Sequence, residues 1–200
     1  MNRKILLWTF AISGFTALVY EIVWSRQLQL IFGSTVYAVS TILTTFFVGF
    51  SLGSYLFRNV ADNSKNPVKL FALIQIGIGL YAVIILWLFK ILPSFYIHLT
   101  NIPGIQFIQF LLLFLIIITP ATLFGATWPV ISKSYIDYEK LGKDTGRLYA
   151  FNSFGSFLGP LAAGFVLVPI LGIIKTSLLM ALINIIIGTI LISRGKKNEN

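Results

Sequence analysis

Apolar residues fill runs of roughly twenty positions in this chain, and polar residues gather in the short joints between the runs. A helix rises 1.5 Å per residue, so about 20 apolar residues cover a hydrocarbon core about 30 Å thick. The pattern predicts six spans at about 5–25, 36–57, 69–92, 105–131, 147–171 and 173–193, an all-α polytopic membrane protein. The first span is expected to continue as an amphipathic tail, "SRQLQLIFG". The fourth ends in "TPATLFGATWP", carrying Pro120, Gly125 and Pro129, and the fifth carries Pro160 and Pro169. Each proline removes a backbone donor, so these helices should kink and the stranded carbonyls should find partners in protein or water.

No joint exceeds about 15 residues, too short for a soluble domain to fold alone. Residues 1–194 therefore read as a single transmembrane domain and 195–200 as a short polar cytoplasmic tail. Internal similarity is short. Tyr37-Ala38-Val39-Ser40-Thr41 opens the second span and Tyr149-Ala150-Phe151-Asn152-Ser153 the fifth, and each then carries a Gly-x-x-x-Gly, Gly49/Gly53 and Gly155/Gly159. Two readings follow: an inverted 3+3 repeat of the transporter kind, or plain close packing of helices on small residues.

Composition agrees with the pattern, since 57% of the 200 residues are hydrophobic and 10% charged, against about 25% charged in soluble domains. The net charge of +9 is a topology signal. With the N-terminus inside, all lysines and arginines except Arg26, Lys90 and Lys175 fall on the cytoplasmic side. Both termini are then cytoplasmic in a multi-pass protein of the cell inner (plasma) membrane. The bilayer is the expected partner, and nucleic acid is not. The first apolar stretch is too long for a cleaved signal peptide. With no cysteine and a single histidine, His98, disulfides, thiolate metal sites and histidine zinc motifs are excluded, and no metal or cofactor is expected. No Ser–His–Asp set or acid dyad is visible, and "GKDTGR" lacks Walker spacing.

The candidate chemistry lies in polar residues within the spans. Glu21 sits roughly 24 Å along the first span, with Arg26 near the outer boundary. Five residues separate the two, so they do not share a helix face. Trp24 does share the Glu21 face and Tyr20 adjoins it, an acid among aromatics that could cradle an organic cation. The alternatives are that Glu21 meets a donor on a neighbouring helix or sits protonated, and that Trp24 is an interfacial anchor. Gln75, Asn152 and Asn184 suit hydrogen bonds between helices, about 0.6–2 kcal/mol each. Arg58 and Asp62 are spaced to pair on one helical turn, or to sit solvated in a loop.

Four stretches, "SGFTALVYEIVWSR", "FGSTVYAVSTILTTFFVGFSLGSYLFRNVAD", "PATLFGATWPVI" and "GRLYAFNSFGSFLGPLAAGFVLVPILG", follow one another in the chain. In that order they resemble the membrane-embedded, major-facilitator-like domain of the fused spermidine synthase-like proteins, over about residues 12–190. The resemblance implies roles for Glu21, Trp24 and Arg26, for Arg58 and Asp62, for Pro120, Gly125 and Pro129, and for Tyr149, Asn152, Gly155 and Gly164. Phe57 stands where that family has glycine and Asn63 where it has a second arginine. The aminopropyltransferase domain is absent from this chain, so no aminopropyl transfer is expected of it.

Together these readings point to a membrane module that handles or transports a small organic cation such as a polyamine. Its ligand would be held by Glu21, Tyr20, Trp24, Asn152 and Tyr149. Arg26, Arg58, Asp62, Pro120, Gly125, Pro129, Gly155 and Gly159 would serve structure or gating. A homodimer could complete it. The alternative is a non-catalytic membrane subunit or anchor that docks a separate cytoplasmic enzyme or a larger membrane complex. An intramembrane enzyme acting on lipid or quinone is a third reading.

Overall fold

The computed structural model describes residues 3–32, 34–97 and 105–196; His98 and residues 197–200 of the tail lie outside them. Almost every described residue is helical, and there is no strand among them. The helices are α1 (Arg3–Phe32), α2 (Thr35–Asp62), α3 (Pro67–Ile97), α4 (Ile105–Tyr135), α5 (Leu141–Ala162) and α6 (Val168–Lys196). A 3₁₀ turn (Tyr138–Lys140) leads into α5, and a π-helical segment (Ala163–Leu167) joins α5 to α6.

Among the described residues the long apolar helices number five, not the expected six. The two spans expected at 147–171 and 173–193 are arms of one helical run, Tyr138–Arg194, of 57 residues. What looked like a joint is Gly172, whose backbone (φ 78, ψ 170) leaves the helical region. A side chain would be strained there, and glycine is not. The expected tail continues α1 as far as Phe32, and Gly33 lies outside the described residues.

The joints follow local chemistry. Asn66 caps α3 by accepting the Lys69 N–H (3.1 Å), and Pro67 occupies the first helical position, where its missing N–H costs nothing. Asp137 accepts the Glu139 N–H (3.2 Å) and so starts the 3₁₀ turn after α4. Two of the prolines confirm the need for substitute donors. Pro120 strands the Ile116 carbonyl, and the Tyr81 hydroxyl of α3 donates to it (3.1 Å). Pro129 strands the Gly125 carbonyl, and the Ser54 hydroxyl of α2 donates to it (3.0 Å). Each stranded carbonyl is thereby tied to a neighbouring helix.

Which residues touch gives the direction of each helix. Ala11 lies against Gly155 and Phe15 against Gly159, so α1 and α5 run the same way. Gly49 lies against Ala121 and Gly53 against Ala126, so α2 and α4 also run together. Gly79 meets Ala181 and Gly188 meets Ala72, which makes α3 and α6 antiparallel. Phe10 packs on Trp128 and Tyr20 on Phe124, which sets α1 against α4. Chain direction therefore reverses at Gly172. Large aromatics such as Phe46, Phe71, Phe89 and Trp24 fill the interior, while Trp8, Phe47, Phe107 and Phe165 project outward. An apolar exterior over apolar, membrane-length helices fits a multi-pass membrane protein.

Candidate functional site

A cavity of about 220 Å³ opens between α1, α2, α4 and α5. Phe10, Phe50, Phe124 and Trp128 form its aromatic wall, and Ser13, Ser54, Thr127, Asn152 and Ser156 supply its polar groups. No ionisable side chain lines it. Its size falls below the roughly 300–1,000 Å³ of sites for drug-sized ligands, so any occupant is small. The approach of α1 to α5 depends on Gly14: a Cβ there would lie 2.6 Å from Asn152 Oδ1 and 2.7 Å from Ser156 Oγ. Glycine at this position leaves those two polar groups room at the cavity edge. Ser54 and Gly125, joined by the bond from the Ser54 hydroxyl to the Gly125 carbonyl, form the α2–α4 side.

The expected ligand set is not gathered in one place. Asn152 lines the cavity. Tyr20 lies behind its wall, tilted against Phe124 (centroids 6.1 Å apart) and stacked on Trp24 (4.9 Å). Trp24 is fully buried, so its expected place as an interfacial anchor is corrected: its ring belongs to the core, between Tyr20 and Phe46. Tyr149 is 65% exposed and meets the cavity only through an edge contact with Trp128. Glu21 is half-buried, does not line the cavity, and forms no ion pair or hydrogen bond among the described residues. Tyr20 and Trp24 turn their rings into the core, away from the cradle expected around the acid.

Of the residues expected to serve structure or gating, Gly155 and Gly159 hold α5 on α1, and Gly125 touches the Phe50 backbone. Gly164 has open space around it. Arg26 is exposed. Arg58 and Asp62 form no ion pair; Arg58 lies instead over the Tyr55 ring (3.9 Å), and both residues line a cleft with Lys133 and Tyr138.

Two further polar groupings stand outside the cavity, and the sequence carries little sign of the first. The first is a lock at the charged end of the bundle. Arg3 forms an ion pair with Asp144 and donates to the Tyr135 carbonyl (2.7 Å), the last turn of α4. Asp144 also accepts the Asp137 N–H (3.1 Å) and is 1% exposed. The lock ties the start of α1 to the end of α4 and the start of α5. Its only signal in the sequence is that Asp144 is the one acid within the basic run "GKDTGR".

The second grouping is a seam of fully buried neutral side chains on α1, α3 and α6. Thr16 donates to Asn184 Oδ1 (2.9 Å), fulfilling the interhelical bond expected of Asn184. Tyr20 faces Asn184 across the seam, while among the described residues Trp24 Nε1, the Ser177 hydroxyl and both amide atoms of Gln75 have no hydrogen-bond partner. Among the described residues no three His, Cys, Asp or Glu side chains converge as a metal site would require. Comparison with known proteins finds no family model, no curated protein and no solved structure that matches this chain.

Proposed function

We propose that this chain is a transport-like membrane module whose cavity between α1, α2, α4 and α5 admits a small organic cation. The observation that carries the reading is the cavity wall: four aromatic rings beside neutral hydroxyl and amide oxygens. Ring faces attract a cation through their quadrupole, by about 0.5–2 kcal/mol when the site is desolvated. Neutral oxygens complete its coordination with no counter-ion to bury. In this form of the reading the aromatic wall, Trp128 included, takes the role expected of Glu21.

The helix pairing supports an inverted arrangement of two halves, α1–α3 and α4–α6. Exchanging α1 with α4, α2 with α5 and α3 with α6 turns the α2–α4 contact into the α5–α1 contact. Both contacts join helices of the same direction through a Gly-x-x-x-Gly, Gly49/Gly53 in one and Gly155/Gly159 in the other. The α3–α6 contact maps onto itself. A cavity enclosed by the two exchanged pairs is where transporters of inverted halves hold their substrates. We place the end bearing Arg3, Lys4, Lys133 and Arg147 in the cytoplasm on the positive-inside rule.

Choline and its uncharged isostere 3,3-dimethylbutan-1-ol test the reading, titrated into purified protein in mild detergent and followed by tryptophan fluorescence and calorimetry. Choline should bind more tightly than the isostere. Trp128→Leu should weaken choline about fivefold or more, and Glu21→Gln should leave it unchanged. Equal binding of the two probes, or no binding of either, overturns the cation reading. Loss of choline binding in Glu21→Gln would return the acid to the ligand path.

A further inference from the structure

The cleft that holds Arg58, Asp62, Lys133 and Tyr138 has a volume of about 390 Å³ and shares a wall with the central cavity: Trp128 lines both. Residues four apart share a helix face, and the two openings lie end to end along such faces. On α2, Phe50 and Ser54 line the cavity, and the next two residues of that stripe, Arg58 and Asp62, line the cleft. On α4, Phe124 lines the cavity, Trp128 both openings and Ser132 the cleft. Gly49 lies against Ala121 and Gly53 against Ala126, so the two stripes descend side by side toward the charged end.

No charge pair closes the mouth of this groove. Arg58, Asp62 and Lys133 form no ion pair among the described residues, and Arg58 lies over the Tyr55 ring, which is not part of the cleft wall. What stands between cleft and cavity is the Trp128 indole, braced by ring contacts with Phe10 (5.6 Å) and Tyr149 (6.4 Å). Just beyond it the Ser132 hydroxyl is buried with no hydrogen-bond partner among the described residues. Water standing in a passage there would satisfy that group.

We propose that this cleft is the passage into the central cavity from the charged end, with the Trp128 indole as its partition and size filter. The passage is the same whatever the cavity holds, so a failure of choline to bind leaves it standing.

The chain has no cysteine, so Ser13→Cys puts a single thiol in the α1 wall of the cavity. In mild detergent, 2-(trimethylammonium)ethyl methanethiosulfonate forms a disulfide with that thiol and releases methanesulfinate. Mass spectrometry of the intact chain follows the rate, and the small neutral methyl methanethiosulfonate reports the reactivity of the thiol itself. Relative to the small reagent, Trp128→Ala should speed the bulky one about tenfold, equal to about 1.4 kcal/mol off the barrier to entry. Ser132→Trp should slow it by a similar factor. Leu141→Trp, at an exposed position of the same cleft, repeats the block should Ser132→Trp not fold. Trp8→Ala, an exposed tryptophan outside the cleft, should change nothing. An unchanged ratio in the blocked variants means that the cavity is reached by another route and overturns the proposal, even where Trp128→Ala accelerates labelling. A change that both reagents share equally reports the thiol rather than the passage and overturns it too.

Discussion

Replacing Gly155 with alanine tests the packing that encloses the central cavity. A Cβ at this position would overlap the Ala11 carbonyl oxygen and lie 2.7 Å from the Ala11 carbonyl carbon, where ordinary contact begins at 3.4 Å. The obstacle is backbone, so no rotamer change relieves it, and α1 and α5 must part by about 0.7 Å to clear the carbon alone. Overpacking of this kind costs about 1–3 kcal/mol, and a rigid backbone obstacle places Gly155→Ala toward the upper end. Alanine favours a helix over glycine by about 1 kcal/mol, which offsets part of the loss. The expected net destabilisation is therefore about 1–2 kcal/mol. Gly164→Ala is the matched control, because nothing lies within 4 Å of a Cβ there; it should be neutral or slightly stabilising. Reversible unfolding in mixed micelles, followed by circular dichroism, reads both. Two variants of equal stability would refute the close approach of α1 to α5, and with it the shape of the cavity they share.

Two further outcomes are expected. Arg3→Gln and Asp144→Asn should each lower the melting temperature and speed proteolysis between Ile136 and Lys140, and the double variant should lose less than the sum of the singles; strict additivity would mean that the two residues do not act as a pair. Gln75→Leu should leave stability unchanged or raise it, because both amide atoms are buried without a partner and removing such a group relieves a desolvation cost. A loss above about 1 kcal/mol on chemical unfolding would show that the amide has a partner, in bound water or ligand.

Much of the architecture is legible along the chain. The apolar runs mark membrane-length helices, although α1, α2 and α3 run on past their expected ends to Phe32, Asp62 and Ile97, and Gly172 falls in the gap between two expected spans. What the pattern cannot show is that the chain turns at Gly172 without leaving its helical run, because glycine permits both a turn and a loop. The prolines announce stranded carbonyls, but that Tyr81 and Ser54 answer them depends on the register of α3 and α2 against α4. Glu21 stands out because an acid in an oily run is costly, yet it stays apart from the cavity. Asp144 attracts no notice among its basic neighbours and holds the only ion pair among the described residues.

Helices long and apolar enough to cross a membrane follow from the sequence alone, because the transfer of apolar residues into lipid is a local property that adds up along a segment. Which helices run together, which polar atoms are satisfied, and where an aromatic and hydroxyl-lined cavity opens are settled by packing between helices. Those depend on how closely two backbones approach, and at Gly14, Gly53, Gly125 and Gly155 that approach is set by the absence of a side chain rather than by any chemistry a residue carries.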